Sequence, residues 1–257
     1  MSTINKLLSA VGIGAAKIQT TLHQDHLIPG QSLSATITIT GGQVPQTIDA
    51  VYLYTTGSSR LAGQIDVGYH TVIFDKHTIA NNLTIQPGEE YSQDVTIQLT
   101  YDTPLTVADT EVYITTALQL DAGLDADDQD KIIVNPTPRV QALFDSLKEL
   151  GFNLHRSDCE DGSQYDRRYV QEFEFKPTSG EFKDKLSEIE LICLDSPSET
   201  SVYLQIDRRP HDMSSFIATA LDLDESHVHF RLTDNDLPTL TNQIAQIIRD
   251  RADGPLL

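Results

Sequence analysis

His227 and His229, one residue apart, are the first place in this sequence where chemistry can be built. On an extended strand both imidazoles point to one face. With Asp222 or Asp224 beside them they could hold a divalent metal, but a two-histidine spacing specifies little, and surface or packing histidines are the favoured reading. Cys159 has His155 four residues before it and Asp158 next to it, the residue types of a thiolate nucleophile and its base. No nucleophile motif such as G-x-S-x-G accompanies them, so Cys159, like Cys193, reads as a reduced core thiol. His23 and His26 flank Asp25 in a loop before a strand, a weak metal-ligand pattern. The run DAGLDADDQD at 121–130 invites a Ca²⁺ loop, yet Gln129 stands at the fifth position and Asp130 replaces the required glycine. A solvated acidic loop is expected there. No P-loop and no paired-cysteine zinc motif is present.

Asp207-Arg208-Arg209 is a different kind of candidate. Two adjacent arginines in an acidic chain could hold a partner's carboxylate through bidentate bonds, or form internal ion pairs. Arg208 and Arg209, together with the apolar residues Leu7, Leu8 and Val11, are the candidate partner-binding residues. No catalytic residue, metal ligand or cofactor-binding residue is assigned, and no cofactor is expected.

These residues must be positioned by the elements around them. Ile4, Leu7, Leu8 and Val11 recur at spacings of three and four, which predicts a short helix ended by Gly12 and Gly14. Gly12-x-Gly14 follows a helix rather than a strand and lacks a third glycine, so it is a poor dinucleotide fingerprint. In SLSATITIT, Leu33, Ala35, Ile37 and Ile39 alternate with Ser and Thr, the period of a half-buried strand. Ile48, Ala50, Tyr52 and Tyr54 set one face of a second strand, with Val51 and Leu53 on the other. Further strands are expected at Val95–Leu99, at Val112–Leu120 and at Ile132–Val134. Pro29-Gly30, Gly41-Gly42 and Pro87-Gly88 mark turns. Many short strands between turns predict an antiparallel β-sandwich.

NPTP at 135–138 reads as a linker, giving an N-terminal domain over 1–135 and a C-terminal domain over 136–257. A helix follows the linker, with Thr137 as its cap, Pro138 in its first turn and Gly151 at its end. Val140, Leu143, Phe144, Leu147 and Leu150 form its apolar face. YVQEFEFKP, EIELICLD, SVYLQIDRR and HVHFRLTD are strands, Glu172 and Glu174 alternating with Phe173 and Phe175 in the first of them. A last helix begins near Pro238 and carries Leu240, Ile244, Ile247 and Ile248 on one side. The two halves show no residue-level repeat.

The chain has 257 residues, enough for two cores of ordinary size, and 39% of them are hydrophobic. Its formal net charge of −20 is divided evenly between the two halves. Such a charge repels phosphate backbones and anionic lipid, which argues against nucleic-acid and direct membrane-surface binding. There is no run of 18 or more apolar residues. The opening MSTINKLLSAVGIG lacks a signal-peptide core, and Ser2 excludes N-myristoylation. A cytoplasmic protein is expected.

Several stretches then carry a resemblance. KLLSAVGIGAAKIQTTL, IDAVYLY at 48–54, TIQPGEE at 84–90, YDTPLT at 101–106 and IIVNPTPRVQALFDSLKELGF resemble the bacterial sporulation-control proteins of the stage 0 sporulation protein M type. DCEDG at 158–162, YVQEFEF at 169–175 and QIDRR at 205–209 are similar too, so the likeness runs over nearly the whole chain. It implies an all-β fold of two tandem arrestin-like β-sandwiches, with short accessory helices at the N-terminus, after the linker and at the C-terminus. It also implies a regulatory rather than catalytic role. The expected function is a non-enzymatic adaptor or scaffold whose partners are other proteins, with a homo-oligomer also open. Edge strands, the groove between domains and the terminal helices are its candidate surfaces. The alternative is a small-molecule or divalent-metal binding module, and a hydrolase built on Cys159 and His155 ranks last.

Overall fold

The computed structural model describes residues 15–59, 70–120, 126–208 and 225–252. It divides into two compact units, the second taking up Val107–Thr110 and then the chain from Pro136 onward. The predicted helix over 4–11, with Leu7, Leu8 and Val11, lies outside the described residues, as do Arg209, Asp222 and Asp224.

Among the described residues the first unit holds eight strands: β1 (Lys17–Leu22), β2 (His26–Leu27), β3 (Ser32–Thr40), β4 (Gln46–Ser59), β5 (His70–Ile85), β6 (Glu90–Gln98), β7 (Glu111–Leu120) and β8 (Ala126–Val134). They form a three-stranded sheet in the order β1-β3-β6 and a five-stranded sheet in the order β2-β8-β7-β4-β5. Strand β3 buries Leu33, Ala35, Ile37 and Ile39 as its alternation requires. Strands β4, β7 and β8 bury Val51, Leu53, Val112, Ile114, Leu118, Ile132 and Val134. Each such buried Leu or Ile contributes about 1.5–3 kcal/mol. The two sheets meet where the Thr20 hydroxyl lies 2.6 Å from that of Thr116.

Two strands depart from the reading of the sequence. A β-bulge between Ile48 and Ala50 shifts the β4 register against β7. Ile48 therefore shares the buried side with Val51 and Leu53, while Tyr52 and Tyr54 face outward, where the Lys76 ammonium sits 3.6 Å from the Tyr52 ring centroid. A bulge inserts one residue and so reverses every later side chain. The second departure is the acidic run. Asp127–Asp130 are not a loop but the first half of β8, paired antiparallel with β7 from Leu118↔Ala126 to Val112↔Ile132. The Thr20 N–H donates to Asp128 Oδ2 at 2.6 Å, which ties the acidic end of the strand to β1.

The second unit is built on one antiparallel five-stranded sheet, ordered β13-β12-β11-β10-β9. Its strands are β9 (Phe152–Asp161), β10 (Tyr169–Pro177), β11 (Leu186–Asp195), β12 (Thr200–Arg208) and β13 (Glu225–Leu232). Two helices, α1 (Pro138–Glu149) and α2 (Leu240–Ala252), cover one face of it. Among the described residues these helices stand where a second sheet would complete a sandwich. From α1, Phe144 meets Phe173 edge-on at 5.0 Å and Phe175 at 5.3 Å. From α2, Leu240, Ile244, Ala245 and Ile248 are buried. The α2 residue Thr241 donates its hydroxyl to Ser146 of α1 at 3.1 Å, so this terminal helix docks on its own unit.

Thr137 occupies the N-cap position of α1 without capping it. Its hydroxyl donates instead to Asp195. Asp195 also takes a charged hydrogen bond from buried Arg139, whose Nη2 lies 3.0 Å from Oδ1. Arg139 Nε donates to Thr200 at 3.0 Å and Nη1 to Asp234 at 3.1 Å. This ion pair fastens α1 to the β11–β12 turn and to the segment before α2. Gly151 ends α1 at a φ of 91°, where a Cβ would come 2.2 Å from the Ser179 carbonyl oxygen. Only glycine satisfies both the conformation and the space.

Candidate functional site

With the helices on one face, the alternation of β9 to β13 sends a second set of side chains to the other. Asp158 and Glu160 come from β9, Glu172 and Glu174 from β10, and Glu188, Glu190 and Ile192 from β11. Tyr203 and Gln205 come from β12 and His227 and His229 from β13, in the pairs Ile192↔Tyr203, Tyr203↔His229 and Gln205↔His227. This face is divided. In one half, basic side chains neutralise the acids: Arg156 lies 2.6 Å from Asp158, and Lys176 lies 2.7 Å from Glu174.

The other half is a cleft of about 490 Å³, lined by Glu160, Glu172 and Glu190, by Tyr165 and Tyr203, and by His227 and His229 among others. Its wall is aromatic. The His229 imidazole stacks on Tyr203 with centroids 4.3 Å apart and planes 12° from parallel. Tyr165, from the short 3-10 turn Ser163–Tyr165, meets the same Tyr203 ring edge-on at 4.8 Å. No lysine or arginine is among the described lining residues.

Crowded carboxylates cannot all ionise. Burial, and then the neighbouring charges of Glu160 and Glu190, push the Glu172 carboxyl up to about 8. Burial and then Asp158 raise Glu160, and burial and then Glu172 raise the Tyr165 phenol. At neutral pH Glu172 is therefore mostly a protonated acid, able to donate a hydrogen bond as well as accept one. The cleft presents anionic oxygens and aromatic faces together, which is the surface a cation recognises.

The residues singled out from the sequence fall variously. His227 and His229 do share a face and do line the cleft. Among the described residues, no group of three or more His, Cys, Asp or Glu side chains is placed to hold a metal. Cys159 and Asp158 are sent to opposite faces of β9 by strand alternation. His155 lies at the bulge opposite Glu174/Phe175, with its Nε2 4.0 Å from Glu174 Oε1. At roughly 3.3 Å per residue it stands about 13 Å along the strand from Cys159, beyond reach of the thiol. Cys193 lies on β11, where burial and then Asp195 push its thiol above the ordinary value. His23 packs against the Thr36 hydroxyl at 2.9 Å, while His26 sits on β2, parallel to β8. Arg208 ends β12 opposite Leu186. Reading the sequence did not single out Glu160, Glu172, Glu190, Tyr165 or Tyr203. The available signal was the glutamates alternating with apolar residues in YVQEFEF and EIELICL, which place acids on one face of two successive strands.

Comparison with known proteins accounts for nearly the whole chain. The family model described as SpoOM protein matches residues 4–210. The sporulation-control protein spo0M of Bacillus subtilis (strain 168) is 33% identical over 257 residues, covering 98% of either chain. The crystal structure of Spo0M, sporulation control protein, from Bacillus subtilis superposes with a TM-score of 0.80 at 29% identity, over 93% of this chain and 100% of that one. A mostly β chain that shares fold and sequence with this protein from end to end belongs to the Spo0M family.

Proposed function

We propose that this protein acts in the control of sporulation as a cytoplasmic, non-enzymatic adaptor that works by binding other proteins. The observation that carries the reading is the identity of 33% across 98% of both chains to a protein named for sporulation control. The site geometry supports it, since the cleft combines carboxylates with stacked aromatic rings and holds no nucleophile–base pair among its described residues. A strand-built, mixed polar and aromatic surface is suited to recognition. No helix among the described residues is long and apolar enough to cross a membrane.

Complementation tests this. The chain is expressed at native level in Bacillus subtilis lacking its own Spo0M, and spore yield is counted against the parent and the deletion strain. Restored control supports the regulatory role. Crosslinking in those cells must also yield a saturable protein partner. Restored sporulation without any such partner would remove the adaptor mechanism.

A further inference from the structure

We propose that β1 is fastened to β8 by a proton-operated latch, closed while Asp130 is protonated and released when it ionises. The latch lies beyond the adaptor reading and does not rest on it.

Three observations carry it. The first is that two sheet edges meet here without a ladder. β1 is the end strand of one sheet, and β2 pairs with β8 only at Ile133 and Val134. Among the described residues no strand therefore pairs with the outer side of residues 126–132. The second is what spans the gap. The Thr20 N–H donates to Asp128 Oδ2 at 2.6 Å, and the Thr20 hydroxyl lies 2.6 Å from that of Thr116 on β7. A backbone amide held by one carboxylate stands in for a row of ladder bonds, so this seam opens at smaller cost than either sheet. The third is Asp130 itself. It pairs with buried Ile114 on the side of β8 that also carries Asp128 and buried Ile132. Its Oδ2 is enclosed and meets no hydrogen-bond partner among the described residues. Such an oxygen is costly when charged and tolerated when the carboxyl is protonated. Inward-pointing acids also keep edge strands from pairing, which accounts for the missing ladder.

The surrounding charges do not neutralise Asp130. Asp128 is its neighbour along β8. On β1, Lys17 is exposed on the side away from buried Ile18 and Thr20. On β7, Glu111 is bound to Lys131 at 2.6 Å. His26 of β2 and the connecting His23 and Asp25 are exposed, and β3 has no ionisable residue. Burial and then Asp128 accordingly raise the Asp130 carboxyl above its ordinary range. Below about pH 4 the group holds its proton with the seam closed or open, and the closed seam keeps its full stability. As pH rises from there the open state ionises first, so the latch weakens. An opened seam bares backbone groups of β8 with which another strand can pair.

The test follows amide hydrogen exchange by NMR in the full ¹⁵N-labelled chain between about pH 4 and about pH 8, each rate divided by its intrinsic value at that pH. Protection of the Thr20 amide should fall by about tenfold or more as pH rises, while amides of β7, paired on both sides, keep theirs. In Asp130→Asn, which cannot ionise, Thr20 protection should stay within about twofold over the same range. Asp130→Ser serves if the asparagine variant fails to fold, which far-UV circular dichroism reports. Thr20 protection that does not change with pH in the wild type, an equal fall on β7, or an undiminished fall in the uncharged variant would each overturn the latch. The exchange measurement needs no partner and no spore count, so failure of the latch and failure of the adaptor reading are told apart.

Discussion

Replacing Glu172 by glutamine should make the protein more stable, and by a margin that grows with pH. The carboxyl is raised from its ordinary value of 4.5 to about 8, first by burial and then by Glu160 and Glu190. At 1.36 kcal/mol per pH unit that displacement corresponds to about 5 kcal/mol. Glu172 is only half-buried on an open face, and solvent screening reduces the figure to about 2 kcal/mol. The sign follows from which state holds the proton. Below about pH 4.5 the acid is protonated in folded and unfolded chains alike, and its contribution is fully present. Between that point and about pH 8 the unfolded chain ionises while the folded chain does not, so stability is lost as pH rises. Glutamine copies the protonated form and never ionises. Wild type and Glu172→Gln should therefore match near pH 4.5 and separate by about 2 kcal/mol at pH 8. The chain has no tryptophan, so urea unfolding is followed by far-UV circular dichroism at several pH values. A ¹³C carboxyl titration, assigned by the resonance lost in the variant, should place one glutamate midpoint near 8. A variant that is less stable than wild type at pH 8, or a margin that stays flat with pH, would refute this account of the cleft.

Other outcomes follow from the packing. Arg139→Ala should cost about 3 kcal/mol, because it leaves Asp195 charged and enclosed with only neutral donors, the Thr137 and Thr200 hydroxyls and the Ser196 N–H, and the loss should appear in the urea midpoint without a change of slope. Gly151→Ala should cost about 2 kcal/mol or more, since it combines a left-handed backbone with a clash on the Ser179 carbonyl, and the thermal midpoint reads it directly. Asp130→Asn should raise the thermal midpoint more at pH 8 than at pH 4. Burial and then Asp128 hold this carboxyl above its usual range, so its cost appears only when it ionises.

The amino-acid order by itself determined the elements whose signal is local. Alternation marked β3, β7 and β12, and a 3.6-residue apolar period marked α1 and α2, because the direction of a side chain along one strand or helix depends only on its own backbone. The acidity and the resemblance of whole stretches to one family were legible in the same way. What the sequence left undecided depends on neighbours distant along the chain. The bulge at Ile48/Ala50 exists because β7 sets the register opposite it, and one inserted residue moved Tyr52 and Tyr54 away from the side assigned to Ile48. DDQD at 127–130 looked like a solvated loop until β7 supplied its backbone hydrogen bonds and Thr20 bound Asp128. Arg139, on the buried side of a helix, found its partner 56 positions later in Asp195. The cleft is the fullest case. Glu160, Glu172 and Glu190 come from three strands, and only the order β13-β12-β11-β10-β9, with helices closing the opposite face, brings them beside Tyr203 and His229. Strands about 4.8 Å apart bring carboxylates close enough for their charges to hinder one another's ionisation, a proximity that pairing creates and that no spacing along a single strand contains.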